Sequence, residues 1–364
     1  MLRPWKKYIS LIVYATLLLL AGCSSTPPKN QATADSSNQT SYTLNPDWEH
    51  LPGWQEDDMQ GVWKAWQSTC QALLKRREKK WQQVCDIANS IDAKEAQAIR
   101  SYFQTFFYPQ LLTDENSRTA GLITGYYEPI LQGARQRYGA YQTPLYRYPY
   151  KKVGNHTTRV LPGRAELLQS TLLKGEELVY VDDPVEAAFL QIQGSGRVQL
   201  TDGGEMRVGF AGSNNQPFQS IAKWLLERRE ITPAQATMQG IKAWANANPS
   251  KREAMLNANP RFIFFRELPA DGSNSASGSL GIPLVAERSL AVDPTVIALG
   301  TPIFLSTTRP LSNQPLQRLM FAHDTGSAIK GKVRADFYWG VGAAAGELAG
   351  RMRQSGSLWV LLPK

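Results

Sequence analysis

The sequence predicts a mainly β protein with helices (α+β), built around a small barrel. From residue 119 onward, most of the chain consists of short aromatic and apolar runs broken by glycine and proline. Clear helical periodicity is confined to a few segments. Many short strands joined by Gly/Pro turns are typical of a small barrel. A chain of 364 residues is also long enough for two domains.

Residues 1–22 have the pattern of a lipoprotein signal peptide. Three positive residues precede the apolar run 8–20, which is too short to span a bilayer as a permanent helix. The run ends in Leu-Ala-Gly followed at once by Cys23, which we expect to be acylated and to become the new N-terminus. Ser24 rather than Asp follows, which favours an outer-membrane lipoprotein facing the periplasm of a Gram-negative bacterium. An ordinary secretory signal with a chance cysteine is the alternative.

The segment 23–45 predicts a lipid-anchored flexible linker. It is rich in Ser, Thr, Asn and Gln and has too little apolar content to bury a core. The chain as a whole carries a formal charge of +9, which suits an anionic partner such as a cell-wall polymer or a lipid surface. The predicted compartment makes nucleic acid an unsuitable partner.

Residues 46–110 are helical in pattern. Ile99, Tyr102, Phe103 and Phe106 repeat at i, i+3, i+4 and i+7, which gives one buried stripe. Cys70 and Cys85 lie in amphipathic sequence on either side of a charged turn. An even pair in an oxidising compartment predicts one disulfide between two helices, and two buried free thiols are the alternative.

The middle of the chain mixes strands and helices. Residues 187–212 alternate apolar and polar positions, with Asp-Gly-Gly at a hairpin turn, and the Gly-Ser-Gly at 194–196 resembles a strand bulge. Two helices are predicted over 216–231 and 232–249, the second opened by Thr232 and Pro233. Strand texture returns at 259–267, and the last hundred residues are β-rich with one Gly/Ala-rich helix.

The residues able to carry chemistry are few. The three histidines have no metal-ligand spacing, no Gly-x-Ser-x-Gly elbow is present, and no phosphate loop or cofactor motif is found. We therefore predict no metal and no cofactor. Carboxylates remain as the candidates: Asp293, Asp324 and Asp336 near the C-terminus, with Glu128 and Asp183 upstream.

Asp324 opens an Asp-Thr-Gly-Ser tetrad that on its face resembles an aspartic protease. Such a protease needs two of these loops, so that two carboxylates share one proton. The chain has one, and the cationic Ala-Ile-Lys-Gly-Lys that follows replaces the usual apolar loop. The tetrad therefore does not indicate a protease.

Six ordered motifs resemble the family of membrane-bound lytic murein transglycosylase A. The three C-terminal motifs look like the three-aspartate module of a double-psi β-barrel, and the resemblance covers roughly residues 48–362. The motifs are TGYYEP (124–129), QIQGSGRVQL (191–200), NPRFIFF (259–265), RSLAVDPTVIALGTPIFL (288–305), AHDTGSAIKG (322–331) and VRADFYWG (333–340).

The resemblance implies a fold in two parts. Residues 46–128 and 260–364 would form a double-psi β-barrel catalytic domain with N-terminal helices. Residues 129–259 would form a smaller β-rich domain inserted into it, with a substrate groove between the two. The implied partners are peptidoglycan glycan strands, outer-membrane lipid through acylated Cys23, and cell-wall synthesis or hydrolysis proteins.

The resemblance also implies an activity. Members of the family cleave the β-1,4 bond between N-acetylmuramic acid and N-acetylglucosamine without water, and leave 1,6-anhydromuramic acid ends. Ordinary glycosidases need two carboxylates. Here the C6 hydroxyl of the substrate is the nucleophile, so that one carboxylic acid can serve first as acid and then as base. A non-catalytic peptidoglycan-binding lipoprotein is the alternative.

The family's catalytic acid aligns with Asp336. Phe337, Tyr338 and Trp339 follow it and can supply the apolar wall that raises a carboxyl pKa. Asp324 would lie beside the acid as a second carboxylate, although an Asx-turn would explain it equally well locally. Asp293 precedes a proline, as a capping aspartate does, and takes either a substrate-binding or a structural role.

The remaining predicted site residues are expected to contact sugar. Thr124, Gly125 and Tyr126 fall where the family's chain crosses between its two domains; Gly125 would allow close approach, and Tyr126 would stack on a pyranose unless it forms a core pair with Tyr127. A second group is expected to hydrogen-bond the glycan from one strand face. Its members are Gln191, Gln193 and Ser195.

Overall fold

A computed structural model describes residues 48–364, apart from residues 93, 155–157 and 270–274. The predicted signal peptide, the acylated Cys23 and the linker at 23–45 lie outside the described residues, as does His156. Within the described part, no helix combines the length and the apolar character that crossing a membrane requires.

Helices and strands alternate irregularly along the described chain. The α-helices are α1 (Met59–Lys75), α2 (Gln82–Ala88), α3 (Ala96–Phe106), α4 (Tyr150–Val153), α5 (Arg164–Gln169), α6 (Pro184–Gln193), α7 (Ile221–Glu227), α8 (Met238–Ala247), α9 (Arg252–Asn257) and α10 (Gly342–Ala349). The strands are β1 (Phe107–Leu111), β2 (Gly121–Glu128), β3 (Ile130–Ala134), β4 (Thr143–Tyr146), β5 (Glu177–Val181), β6 (Ser195–Leu200), β7 (Glu205–Ser213), β8 (Ile263–Leu268), β9 (Ser289–Val292), β10 (Pro302–Thr308), β11 (Pro315–Thr325), β12 (Arg334–Val341) and β13 (Arg353–Pro363).

A closed six-stranded barrel forms one part of the fold. Its strands follow the order β13-β10-β11-β9-β12-β2, and β2 pairs again with β13 to close the ring. The β12–β2 and β11–β9 pairs are parallel and the other pairs in the ring are antiparallel. Ile123, Leu290, Val292, Ala335 and Phe337 are buried together in one core cluster. The predicted fold class, a double-psi β-barrel with a second β-rich part, is confirmed.

The N-terminal helices cover one side of this barrel. Trp66 of α1 stacks on Phe321 of β11 with ring centroids 5.8 Å apart, and the two share a core cluster with Phe103 of α3. The predicted stripe of α3 is largely buried, and Cys70 and Cys85 form the expected disulfide between α1 and α2.

A second, six-stranded sheet has the order β4-β5-β3-β6-β7-β8. The predicted hairpin turn at Asp-Gly-Gly joins β6 to β7. Within the turn, the Asp202 carboxylate accepts a hydrogen bond from the Gly204 amide. β8 pairs with β7 in this sheet. The segment 260–364 therefore contributes its first strand to the second sheet and its later strands to the barrel.

One predicted strand is wrong: residues 187–193 belong to helix α6. Asp183 caps the helix by accepting from the amides of Val185 and Glu186, and Pro184 occupies its first turn. Gly194 ends the helix in the left-handed region at φ 82°. These capping residues outweigh the short apolar–polar alternation, and Gly194 is a helix cap rather than part of a strand bulge.

The predicted helix over 232–249 is divided in two. Thr232 and Gln235 form a capping box around a short 3₁₀ turn at Pro233–Gln235. Helix α8 begins only at Met238, behind a second cap in which the Thr237 hydroxyl accepts from the Gly240 amide. Thr232 therefore caps a helical turn as predicted, but this turn is short and does not continue into α8.

Candidate active site

Four residues lie in one row across the barrel wall: Asp324, Ala291, Asp336 and Thr124. Asp324 on β11 and Asp336 on β12 both pair with Ala291 on β9, and Asp336 pairs on its other side with Thr124 on β2. Two strand spacings put the α-carbons of the aspartates about 10 Å apart. Residues next to Thr124, Ala291 and Asp336 are buried in the barrel core, so the row faces outward there. They are Ile123, Leu290, Val292, Ala335 and Phe337.

Asp336 is half-buried and holds one short hydrogen bond. The Thr124 hydroxyl donates to its Oδ1 at 2.6 Å. Burial raises the pKa of Asp336 above its usual range, against the lowering effects of the Thr124 hydrogen bond and of Arg334, while the charge of Asp324 raises it further. The Asp336 carboxyl therefore stays protonated up to a higher pH in this site than an aspartate in water does.

Arg334 is a site residue that the sequence analysis missed. Its Nη2 donates to the Thr124 hydroxyl oxygen at 2.8 Å. Its Nη1 donates to the Leu122 carbonyl at 3.3 Å and to the Ala335 carbonyl. A signal was present, since Arg334 precedes Asp336 by two positions in a predicted strand and so shares its face.

Asp324 is held by a loop before β9. The backbone amide and the hydroxyl of Ser279 both donate to its Oδ1, at 3.0 and 2.7 Å. Burial raises the pKa of Asp324, while the bonds from Ser279 and the Thr325 amide oppose that rise. Ser279 lies in a Ser/Gly-rich segment without periodicity, so nothing in the sequence singled it out.

Tyr126 and Tyr127 take opposite sides of β2. Tyr126 packs on Tyr338 with ring centroids 5.1 Å apart. Its buried hydroxyl makes no hydrogen bond of ordinary geometry, yet it lies close enough that burial and the charges of Asp324 and Asp336 raise the pKa of Tyr126. Tyr127 is a core residue with its hydroxyl 3.7 Å from the Met238 sulfur. Tyr126 thus belongs to the carboxylate site and Tyr127 to the core.

Gly125 lies in a tightly packed part of the structure. A β-carbon added to it would lie 2.8 Å from Trp339 Nε1 and 2.9 Å from the Ala349 α-carbon. A side chain at this position would therefore enter the space where β2 packs against Trp339 of β12 and Ala349 of α10. This packing accounts for the glycine, and the expected approach of sugar stays a prediction.

The expected common strand face of Gln191, Gln193 and Ser195 does not exist. Gln191 is buried, and its side-chain oxygen accepts from Arg164 Nη2 at 2.6 Å. Gln193 ends α6 and its side-chain oxygen accepts from the Tyr127 amide at 3.1 Å, which ties the helix to β2. Ser195 begins β6. Only Gln193 is thereby brought against the strand that carries Thr124.

Asp293 is engaged by its own loop. Its carboxylate accepts from the Thr295 hydroxyl at 2.8 Å and from the Gly331 amide at 3.0 Å, and Lys330 Nζ lies 3.6 Å away. Burial acts to raise its pKa, but these donors and Lys330 outweigh burial and hold the pKa of Asp293 below its usual value. This pattern supports the structural alternative for Asp293, as an anchor for the loop before β12.

His323 precedes Asp324 but is directed into the protein. It is fully buried, and its ring nitrogens lie 2.7 Å from the hydroxyls of Thr69 and Ser289. Burial lowers the pKa of His323 to about 3, so the ring is neutral at physiological pH. Among the described residues, no group of three or more His, Cys, Asp or Glu side chains could hold a metal ion.

Comparison with known proteins identifies the family. Residues 122–266 match the family model described as the MltA specific insert domain, and residues 288–362 match the 3D domain. The solved structure of MltA from Neisseria gonorrhoeae is 33% identical, covers 88% of this chain and 92% of its own, and superposes with a TM-score of 0.74. The chain belongs to the MltA family of lytic transglycosylases.

Two further solved structures and a curated relative are also similar to this chain. The structure of the lytic transglycosylase LtgG of Burkholderia pseudomallei is 51% identical over 89% of this chain and 95% of that one, with a TM-score of 0.64. E. coli MltA with bound chitohexaose is 26% identical over 89% of this chain and 94% of that one, with a TM-score of 0.69. The curated E. coli membrane-bound lytic murein transglycosylase A is 34% identical, and the match spans 66% of this chain and 65% of the relative.

The insert-domain match of this MltA-family chain begins in β2, the strand that also carries Thr124. At the end of β2, Glu128 is buried and its carboxylate lies 3.3 Å from Arg197 Nε on β6. Burial raises the pKa of Glu128, and the Arg197 charge opposes that rise. This ion pair joins the barrel to the second sheet four residues along β2 from Thr124.

Proposed function

We propose that the chain is a lytic murein transglycosylase that acts on peptidoglycan glycan strands. It cleaves the β-1,4 bond between N-acetylmuramic acid and N-acetylglucosamine and adds no water. The observation that carries the proposal is the Thr124–Asp336 bond of 2.6 Å on the outer face of the barrel, in a row with Asp324. The chitohexaose bound to a related MltA is consistent with a glycan substrate here.

The proposed reaction is an intramolecular displacement. The C6 hydroxyl of the muramyl residue forms a bond to its own anomeric carbon while the bond from that carbon to the leaving O4 breaks. Asp336 gives its proton to O4, and the resulting carboxylate takes the proton of the C6 hydroxyl. The product is a 1,6-anhydro sugar, and the acid returns to its starting form. Holding the nucleophile in the substrate replaces the second carboxylate of ordinary glycosidases.

The environment of Asp336 suits a general acid. An unperturbed aspartate is protonated only about one part in a thousand at pH 7, a free-energy penalty of about 4 kcal/mol. The raised pKa of Asp336, caused first by burial and increased by Asp324, reduces that penalty. Oδ1 is engaged by Thr124, so Oδ2 is the oxygen that carries the transferable proton. Asp324 acts through its charge and does not itself transfer the proton.

The groove residues divide into two groups under this proposal. Thr124 and Tyr126 act at the carboxylate row. Gln193, which is bonded to β2, and Ser195, at the start of β6, are candidates for contact with N-acetyl and hydroxyl groups. Gln191, Gly125 and Asp293 support the site through packing and hydrogen bonds.

The proposed setting is the periplasmic face of the outer membrane. Acylated Cys23 anchors the chain, and a linker of this length has a root-mean-square reach of roughly 25 Å. Cell-wall synthesis or hydrolysis proteins would act on the same polymer nearby. Labelling with a radioactive fatty acid tests the anchor: we expect label in the wild-type protein and none after Cys23→Ser, and label retained in that variant contradicts the anchor.

Digestion of purified murein sacculi, followed by mass spectrometry, tests the activity. We expect muropeptides ending in 1,6-anhydromuramic acid from the wild-type protein and almost none from Asp336→Asn. Asp202→Asn is the matched control, since it makes the same exchange on an exposed hairpin. Reducing ends would instead indicate a hydrolase. Binding to sacculi without any product would indicate the non-catalytic binding lipoprotein, and either result overturns the proposal.

A further inference from the structure

Arg334 is fixed by three acceptors beside the carboxylate row. It pairs with Leu122 across the β12–β2 ladder, and its Nη1 donates to the Leu122 and Ala335 carbonyls. Its Nη2 donates to Thr124 Oγ1 at 2.8 Å. A guanidinium is a planar fork of donors, so this set of acceptors defines its position.

The charge of Arg334 sets the direction of the hydrogen bonds that follow it. Because a guanidinium only donates, the Thr124 oxygen must accept from Nη2. The single hydroxyl proton of Thr124 is then left for Asp336, whose Oδ1 accepts it at 2.6 Å. Among the described residues, Asp336 Oδ2 receives no such donor.

We propose that Arg334 is a positioning residue that acts on Asp336 through Thr124 and assigns the transferable proton to Oδ2. The inference rests on the proposed function, in which Asp336 is the acid and then the base. Without Arg334, the Thr124 hydroxyl is free to rotate and to accept from Asp336, and the proton can then settle on Oδ1, where no substrate oxygen reaches it.

The same residue has an electrostatic effect. Burial and the charge of Asp324 raise the pKa of Asp336, while Arg334 and the Thr124 bond lower it. A group that must first give and then take a proton works best with an intermediate pKa. Arg334 therefore limits a rise that would otherwise leave Asp336 a poor acid toward O4.

Two substitutions separate the two effects. Arg334→Gln removes the charge and the fork, whereas Arg334→Lys keeps the charge and loses the fork. Arg353→Gln is the control, since Arg353 is exposed and pairs with Thr124 from the opposite side, on β13. Circular dichroism and thermal melting first establish that each variant is folded.

The first readout needs no activity. The ¹³Cγ resonance of Asp336, identified by its disappearance in Asp336→Asn, is titrated in each protein. In Arg334→Gln we expect the midpoint to rise by roughly one pH unit, because a neighbouring positive charge is lost. The midpoint should stay at the wild-type value in Arg334→Lys and in Arg353→Gln.

The second readout is the release of anhydro ends against pH. Arg334→Gln should move the alkaline limb of kcat/KM upward with the titration midpoint, and should lower kcat about tenfold with KM little changed. Arg334→Lys should keep the limb in place with kcat still lowered. In the Arg334→Gln background, Thr124→Val should cost much less than it does in the wild type, because the two residues act as one unit.

The outcomes are decisive. An unchanged midpoint and kcat in folded Arg334→Gln means that Arg334 is only structural, and the inference is wrong. Full kcat in Arg334→Lys, or additive losses in the double variant, also overturns it. Failure of the wild-type protein to release anhydro ends would refute the proposed function, whereas the titration would still decide whether Arg334 and Thr124 control the Asp336 carboxyl.

Discussion

Asp324 and Asp336 flank the same residue, Ala291, one from each side of β9. Both carboxyls have a raised pKa because of burial, and Asp324 raises that of Asp336 further. The two differ in their donors, since Asp324 receives two bonds from Ser279 and Asp336 one from Thr124. The extra donors stabilise the charge of Asp324 more than that of Asp336, which supports the proposal that Asp336 is the acid.

Asp336→Asn should stabilise the protein at neutral pH. A carboxyl whose pKa is higher in the folded state costs stability as pH rises through the interval between its unfolded and folded pKa values. We expect a rise in melting temperature of roughly 1–3 °C at pH 7 that disappears near pH 4. Asp293→Asn is the opposite control, because a lowered pKa means that its charge is stabilising, and its melting temperature should fall at pH 7. Equal shifts in the two variants would contradict the assignment.

Asp324→Asn should move the activity profile to lower pH. The charge of Asp324 raises the pKa of Asp336, so its removal lets Asp336 lose its proton earlier. The alkaline limb of kcat/KM should therefore shift downward by roughly half a pH unit or more. Ser279→Ala provides the comparison, since it removes the hydroxyl donor to Asp324 and keeps both the backbone amide donor and the charge. A limb that stays in place in Asp324→Asn would show that this carboxylate has no electrostatic role.

His323 should make the protein sensitive to mild acid. Its pKa of about 3 lies below the unfolded value of 6.5, so the unfolded chain binds the extra proton between these limits and stability falls as pH decreases through them. The expected loss is about 1 kcal/mol per pH unit below pH 6. Urea unfolding at pH 7 and pH 5 measures it. The difference between the two pH values should shrink in His323→Gln, and an undiminished difference would assign it to other groups.

Gly125→Ala should reduce stability rather than substrate affinity. The added methyl would meet Trp339 and the backbone of Ala349 at less than 3 Å, where neither can move away easily. We expect a loss of roughly 1–3 kcal/mol in urea unfolding, with KM unchanged for the folded fraction. Gly163→Ala is the matched control, since its nearest neighbour would be 3.6 Å away. A raised KM with full stability would support the idea that Gly125 makes room for sugar.

The sequence predicted the parts of the fold that have strong local signals. The α3 stripe, the Cys70–Cys85 pairing and the hairpin at Asp202 each depend on periodicity, cysteine parity or turn chemistry. The alternation over residues 187–193 predicts a strand, but the helix caps at Asp183 and Gly194 outweigh an alternation of only seven residues. The caps were visible in the sequence and were the better evidence.

The site was predicted less completely because its contacts join distant parts of the chain. Asp336, Asp324 and Thr124 were singled out, and the structure brings them into one row. Arg334 could have been added from strand alternation alone. Ser279 could not have been predicted, because it lies in a loop without periodicity. The bond between Gln191 and Arg164 could not either, because it joins buried residues 27 positions apart and leaves no local pattern.

The Thr124–Asp336 bond joins residues 212 positions apart, and the barrel ring closes only through β13 at the C-terminus. A chain that lacks β13 therefore still contains Thr124, Asp324 and Asp336, but it cannot close the ring that places them in one row. We therefore expect a chain without β13 to release no product from murein. A single proteolytic cut that releases β13 would open the ring and disarm the finished protein in the same way.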